Sequence, residues 1–78
     1  IMRQDILIDL ENYINSKNQE FQALGDQIRV YLNNGGEITI TVTNSTITIL
    51  TYNIENSKSK YICNNVKETI GLLDNFIS

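Results

Sequence analysis

A chain of 78 residues with six basic and nine acidic side chains, net charge −3 and a pI near 4.6 reads as one small domain over residues 1–78. At this size folding buries only roughly 60% of the surface the unfolded chain exposes, and the acidic balance argues against nonspecific attraction to nucleic-acid backbones or anionic membranes. With no histidine and one cysteine, the chain lacks the commonest general base and cannot close an internal disulfide.

From Gln4 to Ala23 apolar residues recur at Ile6, Leu10, Tyr13, Ile14, Phe21 and Leu24, a helical stripe that Gly25 would stop. Lys17 interrupts that stripe, and the weakly helical run Asn15–Gln19 is where the helix is expected to break or bend. Gln27–Asn33 alternates Ile28, Val30 and Leu32 with Arg29 and Tyr31 and reads as a first strand, followed by a reversal at Asn34-Gly35-Gly36.

The least ambiguous stretch is Glu37–Ile54. Ile38, Ile40, Val42, Ile47 and Ile49 alternate with threonines around Asn44-Ser45, which is the pattern of a β-hairpin with a two-residue turn. That turn places Val42 opposite Ile47, Ile40 opposite Ile49 and Ile38 opposite Thr51. A three-residue loop at Asn34–Gly36 would add Leu32 opposite Ile38, Val30 opposite Ile40 and Ile28 opposite Val42, with the isoleucines again on one face.

After Ile54 the polar run Glu55–Ser59 reads as the opening of a second helix with a stripe at Ile62, Val66, Ile70, Leu73 and Ile77. Asn65 followed by Glu68 also matches a capping box, so the regular helix could begin there instead. The expected fold is α+β: a two-layer αβββα domain, with a three-stranded antiparallel meander carrying the N- and C-terminal helices on one face.

No catalytic, metal or cofactor site is expected. Cys63, on the flank of the second helix's stripe, reads as a structural thiol rather than a nucleophile. Asp5 and Asp9, one helical turn apart, read as solvated carboxylates, and no metal-ligand spacing or phosphate loop is present. Asn44-Ser45-Thr46 matches a glycosylation sequon but reads as a turn, since no secretion signal is evident. With a single cysteine and so no internal disulfide, a reducing cytoplasm is the expected location, and no run approaches the roughly 20 apolar residues of a membrane helix.

The candidate partner-binding residues are those of the sheet face opposite the core: Arg29, Tyr31, Thr39, Thr41, Thr48, Leu50 and Tyr52. Aromatic anchors on a flat, weakly charged sheet suit protein association, and the expected register sets Tyr31, Thr39 and Leu50 side by side. In a three-stranded meander Thr46–Ile54 would also be an edge without charge or proline. It would then pair with its own copy to make a homodimer, or with an edge strand of the target, unless a bulge ends the pairing or the tail covers it.

Two resemblances bear on function. The αβββα order and Ser57-Lys58-Ser59-Lys60, read as a basic helix start, resemble double-stranded RNA-binding domains, which would make Lys58, Lys60 and Lys67 phosphate contacts; the net negative charge makes nucleic acid the less favoured partner. In length, acidic pI, Ile/Asn/Lys-biased composition and helix–meander–helix order, the chain resembles the small phage-borne anti-CRISPR inhibitors. That resemblance implies a non-enzymatic protein of phage or mobile-element origin that blocks a host protein, such as a CRISPR effector. The hydroxyl-rich sheet points to occlusion by shape and apolar contact rather than to charge mimicry of DNA.

Overall fold

In the computed structural model, which describes residues 3–77, the alternation of Glu37–Ile54 builds the middle of a larger sheet than expected. The chain runs α1 (Arg3–Ser16), β1 (Glu20–Leu24), β2 (Gln27–Tyr31), β3 (Glu37–Val42), β4 (Ile47–Ile54), β5 (Ser57–Cys63) and α2 (Val66–Leu73). The five strands form one antiparallel meander in chain order. The α+β class and the packing of both helices on the sheet's apolar face agree with the expectation; the count of three strands does not.

The missing first strand lay inside what read as helix. Helix α1 stops at Ser16 because Asn18 takes a left-handed backbone (φ 58°) while the amides of Lys17 and Gln19 bond back to the Ile14 carbonyl. Asparagine tolerates that conformation better than most residues do. Glu20–Leu24 then pairs with β2 through the two-residue turn Gly25-Asp26, where Gly25 supplies φ +62°, as a primed hairpin turn requires.

The missing last strand lay inside what read as the opening of the second helix. Glu55 and Asn56, both with positive φ (53° and 61°), form a two-residue reversal of the doubly left-handed kind that matches the twist of a hairpin. Ser57–Cys63 returns along β4 with Ile47 opposite Cys63 and Ile49 opposite Tyr61. The regular second helix begins where the capping box placed it. Asn65 Oδ1 accepts the Glu68 amide at 2.8 Å, and the Glu68 carboxylate reaches back to the Asn64 amide at 3.2 Å.

Two further expectations are corrected by the fifth strand. Thr46–Ile54 is not an edge, because β4 is paired on both sides; the tail covers it, and a bulge between Thr51 and Ile54 ends the regular register. Homodimerisation through that strand is therefore closed. Cys63 is not on a helix flank but points inward from β5, buried.

Register followed the turns. The β3–β4 pairing is as expected, Ile40 opposite Ile49 and Val42 opposite Ile47. The β2–β3 pairing is two residues away from expectation, with Val30 opposite Ile38 and Ile28 opposite Ile40. The connection there spans Leu32–Gly36 rather than three residues, closed by the Leu32 amide on the Gly36 carbonyl and by Asn34 Oδ1 on the Gly36 amide, both at 2.9 Å. A shift of two keeps every side chain on its face, so Ile28, Val30, Ile38, Ile40, Val42, Ile47 and Ile49 all remain buried beneath Leu10 and Ile14 of α1 and Leu73 of α2.

The open face of the sheet as a candidate docking surface

Because both helices pack on one face, the alternate side chains of all five strands are left on the other. Following the pairings across the sheet, one row runs Glu20, Tyr31, Glu37, Tyr52; the next Gln22, Arg29, Thr39, Leu50, Lys60; the third Leu24, Gln27, Thr41, Thr48, Ile62. All seven sequence-derived candidates, Arg29, Tyr31, Thr39, Thr41, Thr48, Leu50 and Tyr52, therefore share this face. Their expected neighbourhood needs one correction: Thr39 sits between Arg29 and Leu50, and Tyr31 lies in the row of Glu37 and Tyr52.

The face combines apolar side chains with a thin scatter of charge. Leu24 (78% exposed), Ile62 (63%), Tyr52 (56%) and Leu50 (44%) are four of the large apolar residues that reach solvent. Sequence reasoning missed Leu24 and Ile62 because it had assigned both to helices. Arg29 Nε meets Glu37 Oε2 at 3.1 Å across two neighbouring strands, with both side chains partly in solvent, so the pair orders the surface more than it stabilises the fold. Tyr31 donates its hydroxyl to Gln22 Oε1 at 3.3 Å.

At the β5 side the face dips. A shallow depression of about 490 Å³ is lined by Glu37, Thr39, Leu50, Tyr52, Lys58 and Lys60. Lys58 holds its ammonium 5.3 Å from the centre of the Tyr52 ring, a cation–π distance. Lys58 and Lys60 were expected at a helix start facing phosphate; they project instead from a strand beside Leu50 and Tyr52. Lys67, the third member of that expected basic cluster, is on α2 in the layer across the sheet.

Elsewhere the polar residues serve the fold. Asp5 and Asp9 are exposed on α1, and among the described residues no three His, Cys, Asp or Glu side chains are grouped so as to hold a metal ion. No helix among them is long and apolar enough to cross a membrane. Tyr13 of α1 donates its hydroxyl to Asp74 at the end of α2, and Lys17 Nζ lies 3.8 Å from the same carboxylate.

Partial burial first, and then the Asp74 carboxylate that accepts its proton, push the Tyr13 phenol well above its ordinary value. A group whose pKa is raised by folding contributes stability that is complete below the unfolded value, about 10 for tyrosine, and that is lost as pH climbs through the folded value. The thermal midpoint is accordingly expected to fall as pH rises above about 10, and Tyr13→Phe to remove part of that fall. Superimposable alkaline profiles for the two proteins would show that the Tyr13–Asp74 contact contributes nothing to stability.

Compared with known proteins, the chain matches no protein-family model, no curated sequence and no solved structure.

Proposed function

We propose that this protein is a non-enzymatic binding module that occludes a surface of a partner protein with the open face of its sheet. On that reading it is an inhibitor of phage or mobile-element origin, directed at a bacterial defence protein such as a CRISPR effector, like the anti-CRISPR proteins it resembles in length, acidity and composition. The observation that carries the reading is the group Leu50, Tyr52 and Ile62 on β4 and β5, exposed on the helix-free face of the sheet, with Leu24 on the same face at the opposite edge. Apolar and aromatic anchors on a weakly charged surface are what protein interfaces favour at their centres.

A second reading, a nucleic-acid-binding module, draws on Lys58 and Lys60 beside Tyr52. It is the weaker one, since five strands replace the three of the double-stranded RNA-binding order and the lysines lie on a strand rather than at a helix start. Net charge is also −3.

Expression in a bacterium whose CRISPR immunity blocks a phage is the direct test. Plating is expected to be restored by the wild type and lost again with Leu50→Arg, while circular dichroism shows that the variant folds. Unrestored plating against each CRISPR type tried would remove the inhibitor reading, and a fully active Leu50→Arg would move the interface off this face.

A further inference from the structure

We propose that the β4–β5 half of the open face receives an acidic, apolar-bearing segment of a partner protein, with an aliphatic or aromatic side chain laid against Leu50 and Tyr52 and carboxylates set on Lys58 and Lys60. The proposal rests on the reading of this face as the docking surface and specifies its chemistry.

Charge carries the argument. Of the nine acids in the chain, only Glu20 and Glu37 occupy positions of this face, and the Glu37 carboxylate is already engaged by Arg29. Lys58 and Lys60 meet no carboxylate among the described residues; the ion pairs there are those of Lys17 and Arg29. Two ammonium groups without an ion-pair partner among the described residues thus line the depression that Leu50 and Tyr52 share. An unpaired lysine beside an apolar patch is complementary to a carboxylate beside an apolar side chain, and such charge pairs around an apolar centre set specificity and association rate.

Single-stranded nucleic acid is the competing occupant, and it fits less well. Two free cations offer few phosphate contacts, whereas charge neutralisation over many phosphates supplies most of such affinity.

The test titrates isotope-labelled full chain with three probes: a twelve-residue peptide alternating Asp and Leu, the same peptide with Asn in place of Asp, and an oligothymidylate of equal length. Expected are amide shift changes concentrated at Thr39, Leu50, Tyr52, Lys58 and Lys60, with binding by the acidic peptide at least tenfold tighter than by either other probe and weakened by salt. Lys58→Gln with Lys60→Gln, both exposed positions, should cost at least tenfold in affinity with the fold unchanged by circular dichroism. Equal binding of the Asn peptide, tighter binding of oligothymidylate, or shifts confined to the helices would each overturn the proposal. Failure here alongside loss of inhibition in Leu50→Arg would leave the docking face standing and reject only the acidic chemistry; failure of both would reject the face.

Discussion

Replacing Ile40 with Ala is expected to lower the free energy of unfolding by about 2–5 kcal/mol, the range for truncating a large buried side chain. Ile40 is fully buried and sits at the middle of the middle strand. The pairings place it in an inward row that crosses all five strands, Ala23, Ile28, Ile40, Ile49 and Tyr61. Truncation there leaves a void between Ile28 and Ile49, in a sheet closed above by Leu10 and Ile14, and the surrounding strands cannot collapse into it without breaking register on both sides. Domains of this kind have only about 5–15 kcal/mol in all, so the variant should lose a large share of its stability. Thr41→Ala, one residue along and facing the other way, is the control and should cost only about 1 kcal/mol or less, the spread of strand propensity and cross-strand pairing. Chemical denaturation of the two variants decides the matter: an unmoved midpoint for Ile40→Ala would refute both the burial and the register.

What the sequence made legible follows the strength of the two-residue period. From Ile38 to Val42, and again from Ile47 to Ile49 across the Asn44-Ser45 turn, every second residue is β-branched and apolar, and no helical stripe competes, so strands, turn and register could all be read. The outer strands carry weaker signals. In β1, Phe21 and Leu24 are three apart and fit a helix as well as a strand, and Leu24 points to solvent, so it adds nothing to a period-two pattern. In β5, Ile62 likewise faces outward while Cys63 faces in, and Ile62 joined smoothly onto the true helical stripe of Val66, Ile70 and Leu73. The turn that would have announced β5 uses Glu55 and Asn56 in left-handed conformations with no glycine to mark it.

The candidate face was more legible than the topology, for a reason of parity. A two-residue error in the β2–β3 register moves neighbours but not faces, so Arg29, Tyr31, Thr39, Thr41, Thr48, Leu50 and Tyr52 were gathered correctly even though their rows were not. The residues that complete the face, Leu24, Lys58, Lys60 and Ile62, lie on the two strands that were missed. They also change its character, from a hydroxyl-rich surface with two tyrosines to a mixed one that adds exposed aliphatic side chains and a cationic side.

The fifth strand moves the edge problem rather than removing it. The strand expected to be unguarded, β4, is interior, and the edges of the sheet are now β1 and β5. Strand β1 is only five residues long and begins with Glu20, a short edge of the kind that resists further pairing. Strand β5 is seven residues long, and its defences are Lys58 and Lys60 together with the irregularity where β4 departs from register between Thr51 and Ile54. Lysines on an edge keep a second strand away because pairing would bring like charges together and strip their water. Exchanging both for valine, a good strand former, should leave the monomer folded but turn β5 into a template for its own copy. Sedimentation velocity is expected to give a monomer for the wild type and concentration-dependent association or precipitation for Lys58→Val with Lys60→Val. A double variant that stays monomeric at high concentration would show that the β4 bulge, and not the lysines, protects this edge.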